Sequence, residues 1–159
     1  FPTEEKQLGN YIFDALEKEE REFITAYDLG VFSMNVQALN RTLIDKIFAV
    51  CDYYLQGKAH RNARHLYDIY KLSEYIVVDQ EFLSLVKEVR EHRIGMGKEI
   101  APAANFDIDI LEVVRKICDE DFYKNDYKET TIKLISDSLT YEEAKNHYRK
   151  LVEKIFLNK

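Results

Sequence analysis

The stretch from Arg41 to Gln56 constrains the fold more than any other. At about 100° per residue, a helix here puts Leu43, Ile44, Ile47, Phe48, Cys51, Tyr54 and Leu55 on one broad face. Ala49, Val50 and Tyr53 share a second face with Lys46, which leaves only Arg41, Asp45 and Asp52 as a clearly polar stripe. A helix this apolar cannot lie on a surface with one side in water. It has to be covered on most sides, so the rest of the chain must wrap it. Asn40 offers it an N-cap and Gly57 an end.

The chain is long enough to do this. A single domain of 159 residues buries roughly two-thirds of its unfolded surface. Two prolines and five glycines are too few to break it into short pieces, which favours long helices. The net charge of −6 excludes a protein that holds nucleic acid by bulk electrostatics and leaves only a local basic cleft for that role. Cys51 and Cys118 have no companion cysteines at metal-ligand spacing and read as reduced thiols, Cys51 in the core. No apolar run reaches the roughly 18 residues of a membrane helix, and no signal-peptide pattern opens the chain, so no membrane partner and a cytoplasmic location are expected.

Periodicity and capping residues predict a mainly α fold of about six or seven helices. Thr3 can cap a helix from about Glu4 to Glu19, with Leu8, Tyr11, Ile12, Ala15 and Leu16 on one face. The period then changes. Glu22 to Tyr27 and Val31 to Leu39 alternate around Asp28-Leu29-Gly30 and predict one short β-hairpin. Further helices are expected from about Arg61 to Tyr75 and, between Asp79 and Gly95, from Gln80 to Ile94. Others are expected from Asp107 or Asp109 to about Glu120, from Tyr127 to Ser136 and from Thr140 to Phe156. The last opens with a capping box, Thr140-Tyr141-Glu142-Glu143. No linker divides the chain, so residues 1–159 are expected to form one domain.

Two residues invite a chemical reading. Lys46 sits among apolar neighbours and needs either a carboxylate partner or a route to solvent. It is a candidate phosphate-binding cation, although chemistry alone favours an ion-paired lysine. On the next helix Asp68 lies four residues after Arg64, a spacing that makes them surface neighbours. Alone, that is an ordinary solvated pair; beside a reacting phosphate, Asp68 is a candidate general base or polarising carboxylate. The other candidates are weaker. His60, His65, His92 and His147 show no zinc-ligand spacing, and no Gly-rich phosphate loop exists. Arg90, His92 and Arg93 make a basic spot that more readily complements a helix C-terminus than touches RNA.

Together R-T-L-I-D-K-I-F-A (41–49) and R-H-L-Y-D-I-Y (64–70) resemble the C-terminal half of the nucleotidyl transferase family of AbiEii/AbiGii-type toxins. Members of that family read roughly R-T-x-x-E/D-K-I-x-A and then R-D/H-x-Y-D. Phe32-x-x-x-Val36-Gln37, Asp126-Tyr127 and Tyr141-Glu142-Glu143 extend the likeness over most of the chain. The resemblance implies Lys46 and Asp68 as catalytic residues, and Lys46, Arg41 and Arg64 as nucleotide-binding residues. It also implies transfer of a nucleotide from an NTP to an acceptor such as tRNA, in a toxin–antitoxin or phage-defence setting with a cognate antitoxin.

One family element is absent. Enzymes of this kind hold Mg²⁺ with a G-S…D-x-D element that precedes the lysine, and none precedes Lys46. The D-x-D at Asp107-Ile108-Asp109 lacks the Gly-Ser and reads as a helix cap; no metal ligand is assigned in this chain. The expectation is therefore a C-terminal portion that is inactive alone, with Mg²⁺ and NTP belonging to an intact protein and no cofactor bound here. Residues 1–39 would be the edge of a missing sheet, 40–159 a helical domain, and the open edge at 22–39 a route to homo-oligomers. The alternative is a non-enzymatic helical module that docks an antitoxin, a partner chain or RNA. Sequence upstream of Phe1 that encodes G-S…D-x-D would separate the two.

Overall fold

A computed structural model describes residues 3–9, 13, 15 and 22–157. The chain falls into two compact units, Phe1–Ala38 and Leu39–Lys159. The mainly α architecture is observed, with seven α-helices and one antiparallel strand pair among the described residues.

In the first unit the strand pairing differs from the expected hairpin. β1 (Thr3–Leu8) runs antiparallel to β2 (Phe32–Gln37), in register from Thr3 opposite Gln37 to Leu8 opposite Phe32. The helix expected from Glu4 therefore opens as a strand; Phe13 and Ala15 are helical, and the rest of that expected helix lies outside the described residues. Lys6 and Glu4, two apart and so on one strand face, pair at 2.7 Å, while Gln7 donates across the ladder to Ser33. Glu22 to Tyr27, expected as the other strand, contains instead helix α1 (Glu22–Ala26). The helical spacing was present: Phe23 and Tyr27 are four apart and their rings stack at 6.3 Å. Asp28, at φ 52°, ends this helix in the left-handed conformation.

The second unit is built around α2 (Leu39–Leu55), whose Leu43, Ile44, Ile47, Phe48, Val50 and Cys51 are fully buried. α3 (Arg64–Ser73) and α4 (Gln80–Ile94) follow, then a 3₁₀ turn (Pro102–Ala104), α5 (Ile110–Asp119), α6 (Lys124–Glu129) and α7 (Tyr141–Leu157). The caps predicted at Asp79, Asp109 and Thr140 form, whereas Asn40, expected as an N-cap, lies inside α2, which begins at Leu39. Asp79 accepts from the Phe82 amide at 2.9 Å, Asp109 from those of Leu111 and Glu112, and Thr140 and Glu143 complete the capping box. α2 ends in a Schellman motif, with Gly57 at φ 68° and Lys58 N–H donating to the Tyr53 carbonyl. The helix expected over Tyr127 to Ser136 is absent. α6 stops at Glu129, where the Thr130 hydroxyl turns back onto the Asp126 carbonyl, and a 3₁₀ turn (Thr131–Lys133) follows.

The many tyrosines supply both volume and hydrogen bonds. Tyr123 and Tyr148 are fully buried and donate to α2 carbonyls, at Val50 (2.7 Å) and Ile47 (3.2 Å). They satisfy their own hydroxyls and pin α5's exit and α7 to the central helix.

The loop from α2 to α3 is set by one buried carboxylate. Asp126 accepts the Arg61 amide at 2.8 Å and the Ala63 amide at 3.0 Å, and this holds Arg61 at φ 63°, a conformation that disfavours side-chain-bearing residues. Asp126→Ala leaves the buried Ala63 amide and the part-buried Arg61 amide without partners, the first worth about 1–3 kcal/mol and the second less. The substitution should therefore lower unfolding free energy by about 2–4 kcal/mol in urea titration; a change within 0.5 kcal/mol, roughly what a plain surface substitution gives, would contradict the clamp.

Candidate functional site

α2 and α3 are consecutive helices joined by the clamped loop, so they pack side by side and bring Lys46 and Asp68 together. Lys46 Nζ lies 2.7 Å from Asp68 Oδ2, with the two side chains 26% and 34% exposed. The contact is thus neither fully solvated nor sealed, and a group arriving from solvent can compete for either partner.

His65, one turn before Asp68, is the third member of this cluster. Its Nδ1 is 3.5 Å from the same Oδ2, long for a hydrogen bond, and is buried with no hydrogen-bond partner. Its ring lies flat against Tyr53 at 5.7 Å between centroids and 6° between planes. Burial acts to raise the Asp68 carboxyl, but His65 and Lys46 beside it outweigh burial and hold it below the usual carboxylate range. Asp68 is consequently ionised at neutral pH.

The arginines behave differently from expectation. Arg64 is exposed and forms no ion pair with Asp68 among the described residues; the carboxylate is taken instead by Lys46, with His65 Nδ1 3.5 Å from the same oxygen. An i,i+4 pair in water is weak, and a lysine delivered from the packed side of a neighbouring helix prevails. Arg41 is buried, its Nε on Asp45 Oδ2 at 2.7 Å. Five residues from Lys46, it points about 140° away around α2 and is not part of the Lys46 cluster.

The polar stripe of Arg41, Asp45 and Asp52 is not a solvated face. Arg93 of α4 bridges Asp45 (2.9 Å) and Asp52 (2.6 Å), and the Ala103 amide donates to Asp52 at 2.7 Å. The supposed basic spot at Arg90, His92 and Arg93 therefore does not exist as such. Arg93 is committed to those carboxylates, and Arg90 donates to the carbonyls of Ala104, Asn105 and Ile108.

Other chemistry finds little support here. Cys51 and Cys118 are free and buried, and burial pushes their thiols up to about 12 and about 11, which leaves them protonated and inert. Among the described residues no three His, Cys, Asp or Glu side chains cluster to hold a metal ion, and Asp109 is spent as the α5 cap. No described helix is long and apolar enough to cross a membrane. Sequence reasoning passed over His65 as a family variation, although its spacing of three from Asp68 already put both on one side of α3.

A family model described as nucleotidyl transferase AbiEii toxin, type IV TA system, matches residues 1–159. No curated protein and no solved structure matches the chain.

The lowered Asp68 carboxyl fixes the sign of an acid effect. A folded pKa below the unfolded value gives stability that is fully present above about pH 4 and is lost as pH falls through the folded value. The stability advantage of the natural protein over Asp68→Asn, read from urea midpoints, should be constant near neutrality and shrink on acidification below about pH 4. An advantage that grows on acidification would rule out a charged pair.

Proposed function

Because the chain belongs to the AbiEii nucleotidyl transferase toxin family of type IV toxin–antitoxin systems, we propose that Lys46 and Asp68 form the protein's share of a nucleotide-transfer site. The observation that carries this reading is the direct contact of the two, at 2.7 Å across α2 and α3; the resemblance implies that the family's lysine and aspartate fall at these positions. The proposed substrate is an NTP and the proposed acceptor a hydroxyl of a nucleic acid such as tRNA. The setting is the cytoplasm, with an antitoxin as the opposing partner and phage defence as the occasion.

The chemistry asks for charge at defined places. The acceptor hydroxyl oxygen bonds to the α-phosphorus and its proton passes to solvent, the bond between the α-phosphorus and the oxygen bridging to the β-phosphate breaks, and pyrophosphate leaves with the negative charge. Lys46 suits that charge as a compact ammonium already held near the surface, and Arg64, exposed one turn before Asp68, is placed to meet a phosphate oxygen. Asp68 is ionised, which suits it to polarise the acceptor hydroxyl and to orient Lys46. A carboxylate held this low is a weak proton acceptor for as long as the pair stays closed. Arg41, bonded to Asp45 within the buried network, supports α2 in this reading and does not touch nucleotide.

Among the described residues no three His, Cys, Asp or Glu side chains gather, and in this reading the metal-holding carboxylates come from sequence outside them. By itself the chain should bind NTP weakly, without dependence on Mg²⁺, and should not turn over. A second reading, a helical module that docks a partner, is favoured by the closed state of the Lys46–Asp68 pair, since a paired lysine needs no catalytic purpose.

The test measures transfer of labelled nucleotide to tRNA by the protein expressed from its full natural reading frame, and by its Lys46→Ala and Asp68→Ala variants. Each variant should lose about 100-fold or more, the effect of deleting a group aimed at developing charge, with the circular dichroism spectrum unchanged. Full activity in either variant removes that residue from the reaction. Absence of transfer by the natural protein with any NTP leaves the docking module as the better account.

A further inference from the structure

Asp68 Oδ2 has two nitrogen neighbours, and only Lys46 holds it at short hydrogen-bond distance. Lys46 Nζ holds Oδ2 at 2.7 Å, while His65 Nδ1 stands 3.5 Å from that same atom. His65 Nδ1 is also buried and makes no hydrogen bond, an uncommon state for a ring nitrogen in a folded protein. The ring is held in its plane by the parallel stack on Tyr53, with its side chain only 14% exposed, so Nδ1 keeps facing the carboxylate. A movement of well under 1 Å by the Asp68 carboxylate would bring this contact to hydrogen-bond length.

This arrangement matters because Lys46 cannot serve two anions at once. If it turns to a phosphate, it leaves behind a half-buried carboxylate whose burial it no longer offsets, and that loss works against nucleotide binding. We propose that His65 takes hold of Asp68 Oδ2 when Lys46 leaves it for a phosphate oxygen, which makes His65 a positioning residue for nucleotide engagement. With a proton on Nδ1 the ring donates to the carboxylate; no covalent bond changes. The proposal rests on the reading of Lys46 as the phosphate-binding cation.

Two variants separate this role from mere packing. His65→Phe keeps a ring against Tyr53 and removes the donor, while His65→Asn returns a donor near the Nδ1 position. In the full natural protein, ATP affinity by calorimetry should fall about tenfold in His65→Phe, the effect of one lost hydrogen bond to a charged group, and recover most of that in His65→Asn. Thermal midpoints without nucleotide should stay close to that of the natural protein. Equal affinity in all three, or a loss in His65→Phe that Asn does not restore, overturns the hand-over. A second measurement needs no nucleotide: the Asp68 carboxyl is titrated by carbon-detected NMR in Lys46→Met and in Lys46→Met with His65→Phe. The midpoint should stay below the ordinary value of about 3.9 in the first and rise above it in the second, where only burial acts. Identical midpoints overturn the hand-over. If Lys46→Met leaves ATP affinity unchanged, the phosphate role of Lys46 fails instead, and the carboxyl titration still decides whether His65 can replace the lysine at Asp68.

Discussion

The enclosure of α2 on nearly every side dictates how the second unit is assembled. Four charged residues lie along this helix, and an unpartnered charge in such surroundings would be strongly destabilising, by about 3–5 kcal/mol when one member of a buried pair is removed. Each has found a partner, most of them from another element. Asp45 and Asp52 share Arg93 of α4, Asp52 also takes the Ala103 amide of the connector, Arg41 takes Asp45, and Lys46 takes Asp68 of α3. The neighbouring elements are thus positioned by the polar demands of α2 as well as by its apolar faces. The tyrosine hydroxyls on the carbonyls of Ile47 and Val50 extend the same arrangement to the chain's C-terminal half.

What was legible in the sequence was local. The central helix, its glycine stop, the Asp79 and Asp109 caps and the box at Thr140 are properties of a few adjacent residues, and each stands close to where periodicity and capping put it. Features that depend on distant partners were not legible. Thr3 to Leu8 is a strand because Phe32 to Gln37 pairs with it, and no helical pattern in either segment announces that register. The stripe of Arg41, Asp45 and Asp52 was legible only as polar, because its cover, Arg93, comes from a helix about forty residues on.

The candidate site divides along the same line. Burial of the Lys46 face was evident from the pattern, but the identity of its carboxylate came only from the family resemblance, and the geometry now gives it a physical form. Arg64 was paired with Asp68 on spacing alone, and it lost to a partner that spacing cannot see. His65 had the spacing but no recognised chemistry. Its significance emerges from a distance, a stack and an unmet hydrogen bond that only a three-dimensional arrangement contains.

In the proposed hand-over Lys46 exchanges Asp68 for phosphate. A crystal structure of the full natural protein with a non-hydrolysable nucleoside triphosphate would show the exchange itself. Lys46 Nζ should then lie within hydrogen-bond distance of a phosphate oxygen and be withdrawn from Asp68 Oδ2. A triphosphate bound elsewhere, with the lysine still on the carboxylate at 2.7 Å, would contradict it.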